Sequence, residues 1–146
     1  MTDLERPLNN RGKRDAPFMG KLLARRGIKP EMIFSSPAKR AEKSAKIIAE
    51  EIGYPLDEIV TLAAIYDASE ADLLEIVRDI DDRYHEVMLF GHNPGMTSLV
   101  NYLSDFELDN LPTSGIVCLE FNERAWRKIS RHSGEMVFFE YPKKYS

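Results

Sequence analysis

Val-Met-Leu-Phe-Gly-His-Asn-Pro-Gly, at residues 87–95, is the stretch that decides the fold of this chain. Its four apolar residues, 87–90, are typical of a strand buried in a parallel sheet. The glycines, the asparagine and the proline that follow end the strand and begin a loop or a helix. His92 is therefore predicted at the carboxyl end of a strand, where open α/β sheets bind their ligands. The simpler alternative is a loop histidine bonded to a carbonyl group.

Strands and helices alternate around this stretch. Helices are predicted over residues 10–26, 36–53, 69–80 and 96–103, and strands over residues 32–34, 59–62, 87–90, 116–121 and 136–141. Ser36 is predicted as an N-cap with Pro37 as the first helical residue, and Ser69 with Asp72 forms a near capping box. This order favours a single α/β domain over residues 1–146. We expect a three-layer α/β/α sandwich with a mostly parallel sheet and a possible antiparallel edge.

The composition narrows the class of protein. Among 146 residues, 43% are hydrophobic and 30% are charged, as in ordinary globular proteins. No apolar run reaches the length of a membrane span, no signal-peptide core is present, and Cys118 is the single cysteine. These features predict a cytoplasmic protein with no membrane partner. The net charge of -4 argues against nucleic-acid binding, although it leaves room for a local anion pocket.

A second segment, Phe-Ser-Ser-Pro-Ala-Lys-Arg-Ala at residues 34–41, predicts an anion site. A strand here leads into a helix N-terminus, whose free N–H groups favour negative charge. Arg40 lies in the first turn and carries a planar, permanently charged group that suits phosphate. A strand-end histidine and a helix-start arginine together suggest phosphoryl chemistry. In the alternative reading, Lys39 and Arg40 are solvated helix charges.

Four motifs resemble a known family. Residues 6–16, 35–45, 91–95 and 111–115 match, in order and spacing, the SixA-type phosphohistidine phosphatases of the histidine phosphatase superfamily. The resemblance covers essentially the whole chain and implies a phosphoglycerate mutase-like fold. It also implies a covalent mechanism, in which a histidine attacks phosphorus and water then hydrolyses the phosphohistidine.

The resemblance also implies roles for individual residues. Arg40 matches the phosphate-clamping arginine of the family. His92 matches its second histidine, which binds phosphate oxygens and stabilises the transition state but is not the nucleophile. Asn93, Thr113 and Ser114 are expected to add polar contacts to the substrate. That substrate would be phosphohistidine in a phosphorylated protein, or a small phosphate ester.

The front of the chain departs from the family pattern. Family members begin with a strand followed by Arg-His-Gly or Arg-His-Ala, which supplies the nucleophile, and this chain has neither motif. His85 and His132 are predicted as surface residues, so neither replaces it. The domain is therefore expected to be truncated at its N-terminus. A misplaced start, a shortened chain, strand exchange between subunits and a truncated paralogue all remain open, and the oligomeric state is not predicted.

The remaining signals are weak. Cys118 and Arg124 have the spacing of cysteine-dependent phosphatases, but the five residues between them include no glycine and two acids, so Cys118 is predicted as an apolar strand residue. Asp67 and Glu70 are candidate proton donors, although helix capping explains them equally well. No metal site and no cofactor are predicted. The alternative function is a catalytically inactive module that binds phosphate or a phosphoprotein through Arg40 and His92.

Overall fold

The computed structural model describes all 146 residues and contains four α-helices and five strands. The helices are α1 (Asn10–Arg25), α2 (Lys39–Ile52), α3 (Glu70–Arg78) and α4 (Gly95–Leu103). The strands are β1 (Met32–Ser35), β2 (Val60–Thr61), β3 (Val87–Phe90), β4 (Ile116–Phe121) and β5 (Gly134–Glu140). Four 3-10 helices lie at Leu56–Glu58, Ala63–Ile65, Trp126–Lys128 and Pro142–Tyr145. Each predicted helix and strand is thus present near its predicted bounds.

The beginning of α2 corrects one prediction. The helix starts at Lys39 with Ala38 as its N-cap, so the assignment of Ser36 as N-cap and Pro37 as first helical residue is wrong. The Ser36 side chain is buried at the end of β1 and accepts a hydrogen bond from the Ala38 N–H at 3.2 Å. This bond closes a tight turn between strand and helix, which delays the start of α2. At α3, by contrast, both halves of the capping box between Ser69 and Asp72 are formed.

The sheet has a parallel part and an antiparallel part. The strands β2, β1 and β3 pair in that order and are all parallel, with Ile33 of β1 opposite Met88 of β3. The strands β4 and β5 form an antiparallel hairpin, in which Val117 lies opposite Phe139. The predicted parallel sheet with an antiparallel edge is therefore confirmed, except that the hairpin is not hydrogen-bonded to the parallel strands.

Helices cover both faces of the parallel sheet. On one face, Ile33 packs against Ala45 and Ala49 of α2, and nearby Leu23 of α1 packs against Ile48. On the other face, α3 and α4 pack together through a cluster formed by Leu73, Leu74, Val77, Leu99 and Leu103. The structure therefore has the predicted three layers.

The strands β3 and β4 lie in one layer without pairing. Met88 and Ile116 pack against the cluster of α1 and α2, whereas Leu89 and Leu119 pack against the cluster of α3 and α4. Both strands line a cavity of about 1420 Å³. All four residues of β3 are therefore only partly buried, so the prediction of a fully buried strand is wrong. The cavity leaves one edge of β3 and one edge of β4 without a neighbouring strand.

Candidate functional site

The site begins where two parallel strands end. Ser36 follows β1 directly, and His92 lies two residues beyond the end of β3. Because β1 and β3 are adjacent and parallel, their carboxyl ends meet at one edge of the sheet. There the His92 Nε2 and the Ser36 Oγ share a hydrogen bond of 2.7 Å. This bond fixes the orientation of the imidazole ring.

Arg40 lies on the first turn of α2 and contacts the N-terminal turn of the chain. Its guanidinium group donates one hydrogen bond to the backbone carbonyl of Asp3 at 2.8 Å and another to the Asp3 carboxylate at 3.1 Å. The Arg40 side chain is 27% exposed and lines the cavity. Arg40 is therefore an accessible cation whose position is held from one side.

Tyr66 connects Arg40 to His92. The Tyr66 hydroxyl donates a hydrogen bond to the Asp3 carboxylate, which also contacts Arg40. The Tyr66 and His92 rings pack in a T-shaped arrangement, with 5.6 Å between ring centroids and an angle of 82° between ring planes. Arg40, Asp3, Tyr66 and His92 thus form a continuous series of contacts. Arg40 and His92 also line the same cavity. Their contact with one oxyanion stays a prediction.

Burial, hydrogen bonds and charges at this edge shift the pKa values of His92 and Asp3. Burial lowers the pKa of His92 below its usual value, and the positive charge of Arg40 lowers it further, although Asp3 and Asp67 act in the opposite direction. The Tyr66 hydroxyl and then Arg40 lower the pKa of Asp3 to about 2. At neutral pH the site therefore contains a neutral imidazole, a guanidinium cation and a carboxylate anion.

Asn93 supports the neighbouring loop. Its side-chain amide donates a hydrogen bond to the Leu111 carbonyl at 2.7 Å, and its oxygen accepts one from the Thr97 hydroxyl at 2.7 Å. Thr113 and Ser114, farther along the same loop, line the cavity beside His92 and Asn93. Ser114 has a φ of 61°, in the left-handed region. Asn93 thus positions the loop, while substrate contacts by these three residues remain a prediction.

His85, His132 and Cys118 lie away from this edge, whereas the candidate proton donor Asp67 follows Tyr66 and is close enough to act on His92. His85 is exposed before β3, and the exposed His132 pairs with Asp105 at 3.1 Å, so the prediction that both are surface residues is confirmed. Cys118 is a half-buried residue of β4, and burial raises the pKa of its thiol, which disfavours the reactive thiolate. The prediction that Cys118 is a strand residue is confirmed.

Sequence reasoning missed two members of the site. Asp3 is 37 residues away in sequence from Arg40, which it contacts. Tyr66 is 63 residues away in sequence from Asp3, to which it donates a hydrogen bond. Neither residue belongs to a local pattern that indicates a ligand site.

Comparison with known proteins finds a family match over the first part of the chain. The family model of the histidine phosphatase superfamily, branch 1, matches residues 2–66, which include Asp3, Arg40 and Tyr66. An uncharacterized chloroplastic protein of Arabidopsis thaliana is 25% identical over 142 residues, which cover 92% of this chain. The chain spans 65% of the length of that relative.

Solved structures share the fold. A protein assigned as phosphohistidine phosphatase SixA from Agrobacterium tumefaciens superposes with a TM-score of 0.82 at 24% identity, over 97% of this chain and 87% of that one. The protein histidine phosphatase SixA complexed with tungstate superposes with a TM-score of 0.79 at 20% identity, over 99% of this chain and 90% of that one. The chain has the SixA fold, and its predicted resemblance to the SixA-type histidine phosphatases is confirmed.

No helix of the structure combines the length and apolar character required to cross a bilayer.

Proposed function

We propose that this chain is a phosphohydrolase of the SixA type. Its substrate would be phosphohistidine in a protein or a small phosphomonoester, and the reaction would pass through a phosphohistidine intermediate. The observation that supports this proposal best is the convergence of Arg40 and His92, linked through Asp3 and Tyr66, at the carboxyl edge of the sheet. Phosphatase activity is also consistent with the family match over residues 2–66.

The chemistry of this edge suits a transferring phosphoryl group. Such a group carries negative charge on its equatorial oxygens, so catalysis depends on positioning and on hydrogen-bond donors around those oxygens. The partly exposed Arg40 side chain supplies a planar donor with a permanent charge. His92 supplies an imidazole ring whose orientation is fixed by the hydrogen bond between its Nε2 and Ser36. Asn93, Thr113 and Ser114 would line the side of the site nearest the loop.

The covalent step requires a histidine that this edge does not contain. His85 and His132 lie elsewhere, so no second imidazole faces His92. The cavity between β3 and β4 reaches both Arg40 and His92. We propose that an extended segment in this cavity would bring a nucleophilic histidine to the site, in line with the phosphorus–oxygen or phosphorus–nitrogen bond that breaks.

The lack of a second histidine also favours another candidate function. Arg40 and His92 would bind phosphate, or the phosphorylated residue of a partner protein, without catalysing its hydrolysis. This binding module needs only the contacts that the site already makes. The two candidates share an oxyanion site and differ in turnover. For either candidate, the cytoplasmic location remains a prediction from composition.

An anion titration tests the shared site. Tungstate, a tetrahedral oxyanion, should bind the purified chain, and Arg40→Ala or His92→Ala should each weaken its binding by about tenfold or more, because each removes a donor to the oxyanion. Lys39→Ala is the matched control, since Lys39 is an exposed cation beside Arg40 that takes no part in the network. Calorimetry measures the affinities. Equal affinities for the wild type and both site variants would contradict the proposal.

A turnover assay separates the two candidates. The 146-residue chain should hydrolyse phosphohistidine and a chromogenic phosphomonoester negligibly, because no nucleophile lies beside His92. A version extended by a strand and an Arg-His motif should be active, and its Arg40→Ala or His92→Ala variants should lose at least about a hundredfold in kcat. An extended, folded version that binds tungstate without turnover would instead identify the binding module. Turnover of the original chain that Cys118→Ser abolishes would refute both candidates.

A further inference from the structure

We propose that Asp3 is an internal counter-ion of Arg40, which an oxyanion must displace and which therefore sets the affinity of the site for oxyanions. The carboxylate accepts a hydrogen bond from the Arg40 guanidinium at 3.1 Å, on the cation that the oxyanion would use. This inference rests on the proposed function, because it concerns the same anion site.

The contact is built into the fold. The N-terminal turn docks on the beginning of α2, where the Leu4 carbonyl accepts a hydrogen bond from the Lys39 N–H at 2.9 Å. Within the turn, the Asp3 carbonyl accepts a hydrogen bond from the Arg6 N–H at 3.2 Å. The Tyr66 hydroxyl donates a hydrogen bond to the same carboxylate oxygen of Asp3, Oδ2, that Arg40 contacts. Asp3 is thus directed at Arg40 by backbone contacts and by a second side chain.

The negative charge of Asp3 opposes the binding of a second anion at Arg40. The Asp3 carboxylate is ionised at neutral pH because its pKa lies at about 2. Its negative charge offsets the positive charge of Arg40, and it repels any oxyanion that approaches the same guanidinium. An anion site whose main cation is already paired binds its ligand more weakly than the same site with the cation free.

The Asp3 carboxylate is also able to move away from Arg40. The Asp3 side chain is 43% exposed, and it already contacts the exposed guanidinium of Arg6, which would remain as its partner. The hydrogen bond from Arg40 to the Asp3 backbone carbonyl, at 2.8 Å, does not involve the carboxylate. Arg40 therefore keeps its position when the carboxylate turns away, and the site gains a free donor for the oxyanion.

The test is a tungstate titration of Asp3→Asn at fixed pH and ionic strength. This substitution removes the charge but keeps the shape of the side chain and the backbone carbonyl. We expect its affinity for tungstate to rise about fivefold or more, as loss of a like charge near a partly exposed site predicts. Glu5→Gln is the matched control, because Glu5 lies in the same turn but bonds only Thr2. Its affinity should stay within about twofold of the wild type.

Two further variants make the result decisive. The gain should disappear in Asp3→Asn combined with Arg40→Ala, and Tyr66→Phe, which loosens the carboxylate, should give a smaller gain. An unchanged or lower affinity of Asp3→Asn, or a gain that persists without Arg40, would overturn the inference. If Arg40→Ala abolishes binding while Asp3→Asn gives no gain, only this inference fails. If no variant binds tungstate, the proposed site fails with it.

Discussion

At the scale of single residues, the surroundings of His92 determine its protonation state. It is half-buried and follows the end of β3, it contacts the Ser36 hydroxyl, and it packs against the Tyr66 ring. Burial and the nearby guanidinium both disfavour the protonated imidazolium. A neutral ring at physiological pH offers one donor and one acceptor nitrogen, which is suited to oxyanion recognition beside a separate cation.

The charge state of His92 is open to direct measurement. Its pKa should lie below the usual value of histidine, and Arg40→Ala should raise it, because removing a nearby positive charge favours the protonated ring. Asp3→Asn should lower it for the opposite reason. Titration of the imidazole signals by NMR tests these shifts, with Lys39→Ala as the control that leaves His92 unchanged. A lower His92 pKa in Arg40→Ala would contradict the electrostatic account.

At the scale of elements, the site depends on how closely α4 approaches the loop that carries Tyr66. Gly95 is the first residue of α4, and a Cβ atom at this position would lie 2.3 Å from the Ala68 carbonyl oxygen and 3.1 Å from a methyl group of Leu73. Only glycine permits this approach. The loop of Tyr66 and the loop of His92 are thereby held at contact distance.

Gly95→Ala should separate these two loops. The added methyl group meets a backbone oxygen rather than the end of a flexible side chain, so we expect a loss of stability of about 1–3 kcal/mol and weaker tungstate binding. Ser98→Ala, farther along α4, is the control for substitution in the same helix. Thermal unfolding and the anion titration measure the two effects. Wild-type stability and affinity in Gly95→Ala would show that the close approach is not required.

At the scale of the whole molecule, Glu140 joins the end of α1 to the C-terminal turn. Its carboxylate is buried and accepts hydrogen bonds from Lys144 at 2.7 Å, Tyr145 at 2.6 Å and Arg26 at 2.9 Å. These contacts connect the end of α1, the strand β5 and the C-terminal turn. The contact with Lys144, then Tyr145 and Arg26, lowers the pKa of Glu140 to about 2.

The free energy of unfolding should depend on pH through the ionisation of Glu140. The folded-state pKa lies below the unfolded-state value, so the stabilisation is fully present above about pH 4.5 and is lost as the pH falls towards 2. Glu140→Gln should cost about 1–3 kcal/mol at pH 7, and the difference from the wild type should shrink in acid. Denaturant unfolding across this pH range measures it, with exposed Glu135→Gln as control. A difference that does not depend on pH would exclude the charged form as the cause.

Much of the fold was predictable because its signals are local. Gly53 ends α2 in the left-handed conformation, with a φ of 79°, and the reciprocal bonds of Ser69 and Asp72 begin α3. The apolar run 87–90 indicated β3, and the punctuation after it placed His92 at the carboxyl end of that strand. Arg40 was likewise recognisable from its place at a helix start. Propensity, capping and periodicity act over a few residues, so they are readable in one segment at a time.

Other features depend on contacts between distant segments. A strand has the same apolar pattern whether one edge or both edges are paired. The sequence of β3 therefore did not predict the cavity between β3 and β4. Serine is a common N-cap residue, but the Ser36 hydroxyl is buried at the strand end. There it bonds the Ala38 N–H and His92 instead of capping α2. The tertiary structure alone brought Asp3 and Tyr66 to Arg40 and His92, because no short-range preference relates residues 37 or 63 positions apart.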